Sequence, residues 1–292
     1  MRIVFLGLPL AALLLMNDGH DVVLAGLRRH LATGARRLRR AGTTVVMEPH
    51  EDWSSFRALA RQASAELLVS WFFTRKIPMD VVDTCRLGGI GVHPSLLPRH
   101  RGPDPFFAAI DAGDEVTGVT VHRIAEAYDT GAVLAQRSLR LEPSWNAWDL
   151  ARKLDRPSLE ALRETVRRAA SGDELTGERQ DESKATEAPQ PDDEERELHW
   201  GLPAERIVRR IRALSPAPGA VAFLGDAWLT ILRAVVTDAA PRALEPGEAA
   251  VVEGSVIVRA ADRGVELLEV EIDGSSVSRA DLLMLVARAS GK

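Results

Sequence analysis

One stretch concentrates residues that could do chemistry: 88–105, GGIGVHPSLLPRHRGPDP. His93 stands in it at the end of an apolar run, just before Pro94, which fixes the chain direction. Histidine is the side chain most readily recruited for proton transfer near neutral pH, so its place at a strand end favours a functional role over a structural one. Asp129, in Tyr128-Asp129-Thr130-Gly131, is the carboxylate suited to orient that imidazole, and the Thr-Gly turn lets backbone approach a ligand closely. By itself an Asp-Thr-Gly is as often a plain turn. Two residues before His93, where a polar side chain could share a reacting oxygen, stands Gly91, which offers only its backbone N–H.

The elements that must position these residues follow from periodicity. RIVFLG is an apolar run ending in glycine, LAALLLMNDGH is helix-like, and DVVLAG is a second apolar run, which together read as β-α-β. The pattern recurs with a basic helix near 28–41, strand TVVM, helix WSSFRALARQAS, strand ELLVSWF, helix IPMDVVDTC and strand GGIGVH. Such alternation predicts a mostly parallel, Rossmann-like sheet with helices on both faces, and the loop beyond a strand's carboxyl end is where these sheets place ligands. HPSLLPRHRGPDP occupies that place. A helix PFFAAIDAG, a strand TGVTVHRI, a turn and strand AYDTGAVLAQRSLRL and an amphipathic helix over 146–170 complete a first domain, 1–172. Residues 173–197 are polar and acidic with two prolines and are expected to form a solvated linker. From 198 to 292 a short helix, LPAERIVRRIRAL, precedes five β-like runs, AVAFLG, AWLTILRAVV, AAVVEG, SVIVRAA and VELLEVEI. This is consistent with a small OB-like β-barrel.

The totals restrict the function classes. A chain of 292 residues with a formal net charge of -5 is long enough for one large and one small domain and is no general nucleic-acid binder, although local basic faces remain. The single cysteine, Cys85, excludes an intrachain disulfide and supplies no cysteine-based metal set, so no metal is expected and a reducing cytoplasm fits. The first residues lack the organisation of a secretory signal, and Asn17, Asp18 and His20 interrupt the longest apolar window, so no membrane association is expected. The turn after the first strand, Gly7-Leu8-Pro9-Leu10, lacks the Gly-x-Gly-x-x-Gly of dinucleotide binding.

The series His93-Pro94-Ser95-Leu96-Leu97-Pro98, Arg101-Gly102, Gly113-Asp114, Thr117-Gly118-Val119-Thr120 and Asp129-Thr130-Gly131 resembles the signature of the formyltransferases that use 10-formyltetrahydrofolate. His199-Trp200, Ile211-Arg212-Ala213 and Pro216-Ala217-Pro218-Gly219-Ala220 resemble the carboxyl-terminal domain of methionyl-tRNA formyltransferases, so nearly the whole chain is covered. The resemblance implies that His93 stabilises a developing oxyanion and helps move protons, that Asp129 orients it and takes a proton from an amine, and that Gly91 sits where relatives carry an asparagine. A backbone group or water at that place, altered chemistry and weakened catalysis are the open alternatives. It also implies a folate site at Phe73, Arg75, Ile77, Ser95 and Asp129, although Phe72 and Phe73 read equally well as core residues. The implied acceptor is an amine, with initiator methionyl-tRNA first and a sugar nucleotide or other small amine close behind. Hydrolysis of the formyl folate, or folate binding with little transfer, are further readings. Methionyl-tRNA formyltransferases carry an extended loop after the second strand, and AGLRRHLATGARRLRRAGTTVV leaves no room for one. Arg28, Arg29, Arg36, Arg37, Arg39 and Arg40 could meet phosphates instead, although an arginine run is more often a solvated helix face, and Arg206, Arg209, Arg210 and Arg212 invite the same caution.

Overall fold

The structure is a computed structural model and describes residues 1–28, 31–224 and 227–289. The chain divides into two compact units, one of 1–105, 116–140 and 153–188, the other of 106–115, 141–152 and 189–292.

The first unit alternates β1 (Arg2–Gly7), α1 (Pro9–Asn17), β2 (Asp21–Leu27), α2 (Ala32–Arg40), β3 (Thr44–Met47), α3 (Trp53–Gln62), β4 (Leu67–Trp71), α4 (Met79–Val82) and β5 (Gly89–His93). Local chemistry sets several boundaries. Pro9 opens α1, where its missing N–H leaves no bond unmade, and Asp52 caps α3 by accepting from Ser55 N at 3.0 Å. In α2 the inward Ala35 and Leu38 are buried, while Arg36, Arg37, Arg39 and Arg40 are exposed. Arg29 lies outside the described residues.

After α5 (Pro105–Ala112) come β6 (Val116–Arg123), β7 (Val133–Arg140) and α6 (Ala147–Ala170). The sheet runs β3-β2-β1-β4-β5-β6-β7, with the first five strands parallel and the last two pairings antiparallel. This is the expected mostly parallel, Rossmann-like arrangement. Its central strands β1, β4 and β5 are buried on both faces, as parallel strands under helices must be, while the edge strands β3 and β7 are partly open. Trp71 at the end of β4 is buried with its indole N–H satisfied by Ser158 Oγ at 3.0 Å.

The second unit contains α7 (Asp193–Arg196), α8 (Ala204–Leu214), β8 (Ala220–Leu224), β9 (Ala227–Thr237), β10 (Ala249–Val252), β11 (Ser255–Arg259), β12 (Gly264–Ile272), β13 (Ser275–Ser276) and α9 (Arg279–Ala289). Its antiparallel sheet runs β10-β11-β12-β9-β8, with β13 on β12. All five expected strands are present, and α9 is an addition whose weak amphipathicity gave no sequence signal. Arg206 and Arg210 of α8 both bind the Asp111 carboxylate, and Arg212 donates to Trp145 O at 2.9 Å. Three of the four α8 arginines are thus engaged within their own unit.

The segment 173–197 departs from the expected solvated linker. Residues 173–188 belong to the first unit, with Leu175, Gln180 and Ala188 buried. Ala188 N donates to Arg101 O at 2.6 Å, and Arg101 N donates to Thr186 O at 2.8 Å. The polar composition hides this because the segment is held by hydrogen bonds, whereas periodicity reports only apolar burial. A first domain of 1–172 likewise differs from the compact unit, which continues to Ala188 and cedes 106–115 and 141–152 to the second.

Candidate active site

The pairing of β5 with β6 builds the site. Gly91 lies directly opposite His122 and His93 opposite Thr120. Opposed residues of an antiparallel pair share a face, and so do residues two apart along a strand, so Gly91, His93 and His122 all project to one side. Gly91 leaves room for the His122 imidazole. A Cβ built on it would meet His122 Nε2 at 3.1 Å, Cε1 at 3.3 Å and Ile124 Cγ1 at 3.7 Å. The β6–β7 register also shifts between Val121 and His122, an irregularity of the kind that re-aims side chains beside active sites.

Asp129 joins the two rings. One carboxylate oxygen, Oδ2, lies 3.4 Å from His93 Nδ1, and the other, Oδ1, 3.5 Å from His122 Nε2. Both imidazoles are almost wholly buried, and the carboxylate is only slightly more accessible. Oδ2 also accepts from Gly102 N at 3.0 Å. Gly102 has φ +119, and a Cβ there would strike Ala188 O at 2.9 Å, so this close approach requires glycine.

Backbone carbonyls fix both tautomers. His93 Nε2 lies 2.7 Å from His100 O and His122 Nδ1 lies 2.9 Å from Arg123 O; a carbonyl only accepts, so each of these nitrogens carries the hydrogen. In the neutral rings the bare nitrogens, His93 Nδ1 and His122 Nε2, therefore face Asp129. Burial lowers the pKa of His93 below the usual histidine value, with Asp129 acting in the opposite direction. Burial likewise lowers that of His122, against Asp129 and with help from the fields of His93 and Arg101. The arrangement is a pair of neutral bases around one carboxylate, able to receive a proton that the carboxylate then steadies.

A second layer holds the loop and the turn. Thr120 Oγ1 donates to Ser95 O at 2.7 Å and accepts from Leu97 N at 3.0 Å. Ser95 is fully buried and its hydroxyl donates to Arg99 O at 2.6 Å. Gln180 Nε2 donates to Asp129 O at 2.6 Å and Gly131 O at 2.7 Å, while its Oε1 accepts from Arg101 Nη2 at 2.7 Å. Arg101 also forks onto Glu182, at 2.8 Å for each of the two bonds. Asp129 is held at φ +55, a backbone region that needs such support in a residue other than glycine.

Of the residues expected from the sequence, the structure brings His93, Asp129 and Gly91 together. Phe73 and Ile77 belong to a hydrophobic cluster with Val81 and Leu6, against which Ile124 also packs, and Lys76 pairs with Glu126 at 3.2 Å. The 73–78 segment thus runs beside the stretch leading to Asp129. Arg75 is exposed. Sequence reasoning missed His122 and Gln180. The alternation in Val119-Thr120-Val121-His122 carried a signal for His122, but only the strand register reveals that it faces Gly91.

Comparison with known proteins places this architecture. Residues 25–166 match the formyl transferase family model, and residues 191–285 match that of the formyl transferase carboxyl-terminal domain. A methionyl-tRNA formyltransferase of Anaeromyxobacter dehalogenans is 35% identical over 291 residues, covering 94% of this chain and 93% of its own. HypX from Aquifex aeolicus, in a crystal structure with tetrahydrofolic acid, superposes with a TM-score of 0.70 at 21% identity over 97% of this chain and 47% of its own. WlaRD, a sugar 3N-formyl transferase, does so with a TM-score of 0.69 at 13% identity over 91% of this chain and 97% of its own. With both domain models matched in order and a relative so similar along nearly its whole length, this chain belongs to the formyl transferase family.

Proposed function

We propose that this chain transfers the formyl group of 10-formyltetrahydrofolate to an amine, with methionyl-tRNA as its first acceptor. The observation that carries the reading is the approach of Asp129 to His93 at the carboxyl end of β5, in a chain matching both formyl transferase domains. A parallel sheet offers its ligand crevice at that end. In the reaction the amine nitrogen attacks the formyl carbon, the bond from that carbon to the folate nitrogen breaks, the amine gives up a proton and the folate nitrogen gains one. Asp129 and the bare nitrogen beside it suit the first proton movement, and His93, its own N–H held by His100 O, suits stabilisation of the oxyanion between the two bond changes through the positive charge it carries once it has taken that proton. For the folate, the backbone of 73–78 is the candidate cradle, with Phe73 and Ile77 fixing it from the core and Arg75 at its exposed edge. The Ser95 hydroxyl is spent on Arg99 O, so its contribution is the shape of the loop.

The decisive test incubates the protein with 10-formyltetrahydrofolate and a panel of amines that includes initiator methionyl-tRNA, scored by product mass. Formyl-methionyl-tRNA is the expected product. A second reading, a small amine such as a sugar nucleotide as acceptor, is favoured by the connection between β2 and β3, which α2 occupies without a long projecting loop. Formylation of the small amine with none of the tRNA would establish it. Formate release without any amine product would show hydrolysis, and folate binding without turnover would remove the transferase reading.

A further inference from the structure

We infer that His122 takes the place of a side chain at residue 91, serving as a positioning residue that completes, with His93 and Asp129, a three-membered proton-accepting cluster, and that Gly91 is glycine because the His122 ring needs its space. The inference deepens the formyl-transfer reading and rests on it for its chemistry. Three observations carry it. The ring of His122 lies against the position a residue-91 Cβ would take, closer than Cβ atoms ordinarily approach a neighbour. That ring is pinned by Arg123 O on one nitrogen and faces Asp129 Oδ1 with the other. His93 repeats the arrangement on the opposite carboxylate oxygen, pinned by His100 O. Polar groups that only filled space would not need matched tautomers.

The titratable and charged groups acting on His122 are Asp129 from the β6–β7 connection, 3.5 Å away, and, through their fields, His93 from β5 and Arg101 from the loop after β5. A proton leaving the attacking amine enters the space between a ring nitrogen and Asp129, making one imidazolium whose charge the carboxylate balances. When the bond from the formyl carbon to the folate nitrogen breaks, that nitrogen takes the same proton and the cluster returns to its starting state. Burial of both rings makes the imidazolium a ready donor. With two bases around one carboxylate, the cluster titrates as a unit and not as one histidine.

The test joins a titration that needs no turnover to a kinetic series. In histidine-labelled protein, the His93 and His122 ring resonances are expected to show coupled, two-step titrations, and His122→Gln should leave His93 with a single step. With whichever amine is accepted, the acid limb of kcat/KM should be steeper than one ionisation in the wild type and fall to one in His122→Gln. Gly91→Asn must push the ring aside and should lose about 10²-fold in rate, the usual cost of a displacement near 1 Å. Gly91→Asn combined with His122→Ala relieves the crowding and should be faster than Gly91→Asn alone. Single-step His93 titration in the wild type, unchanged by His122→Gln, would overturn the inference. So would a Gly91→Asn protein as active as wild type. If the His122 variants do not fold, Gly91→Ala, which adds only the crowding Cβ, should still shift the His122 resonance, and an unmoved resonance would overturn the inference too. A wild type that formylates no amine would end the formyl-transfer reading, while the resonance titrations would still decide the pairing of the two rings.

Discussion

At the scale of single residues, the site is a contest between burial and one carboxylate. If His93 and Asp129 handle the proton and the developing charge, His93→Ala and Asp129→Ala should each slow turnover by about 10²- to 10⁴-fold, with the circular dichroism of the folded protein retained. Near-wild-type turnover in either would remove that residue from the mechanism. The same burial has a consequence for stability. Both ring pKa values lie below the ordinary 6.5 in the folded protein, so above that value both rings are neutral whether folded or not and the folded state carries no penalty. As pH falls through about 6.5, the unfolded chain takes protons that the folded one still refuses, and stability drops until the lowered folded values are passed. The melting temperature should therefore decrease between pH 7.5 and 5.5, and His122→Gln should flatten that decrease; an equal slope in the variant would show that His122 contributes nothing to it. His93, Asp129 and Gly91 were legible in the sequence because motif order identifies residues next to prolines and tight turns. His122 was not, since its importance lies in a cross-strand relation that no spacing along the chain encodes.

At the scale of elements, alternation between apolar runs and amphipathic helices specified nearly every strand and helix, and β3 coincides with the expected TVVM. The carboxyl-terminal helix α9 escaped because its apolar residues are spread around it and lack a sharp stripe. Arginines show the limit of reading charge from sequence. Those of α8 look like a basic face, yet Arg206 and Arg210 are tied to Asp111 and Arg212 to Trp145. On α2, by contrast, Arg36, Arg37 and Arg40 point to solvent. If the acceptor is a tRNA, reversing charge at Arg36, Arg37 and Arg40 should weaken its binding and lower the dependence of log affinity on log salt by about 0.7–0.9 for each phosphate no longer neutralised. Filter binding at several salt concentrations reads both quantities. Unchanged affinity and slope would leave α2 as a solvated helix face.

At the scale of the whole molecule, sequence composition and the folded chain disagree about where the first unit ends, and the disagreement can be measured. A polar, acidic stretch reads as a spacer because composition registers what a segment cannot bury, but hydrogen bonding to a buried cation and to turn carbonyls leaves no apolar trace. Here Gln180 and Glu182 satisfy the buried Arg101 guanidinium, and Gln180 also holds the carbonyls of Asp129 and Gly131. A chain ended after residue 172 loses all of these bonds together with the burial of Leu175 and Ala188. A chain ended after residue 188 keeps every one of these bonds. Both shortened chains lack 189–292 equally, including the α8 arginines that hold Asp111, so the comparison between them isolates 173–188. The longer chain should unfold at clearly higher urea concentration, and the shorter should fold poorly or not at all. In the full-length protein Gln180→Ala should reproduce a milder form of the defect, slowing turnover through a loosened Asp129 turn while folate binding persists. Equal urea midpoints for the two shortened chains, with Gln180→Ala at wild-type turnover, would return 173–188 to the role of a spacer.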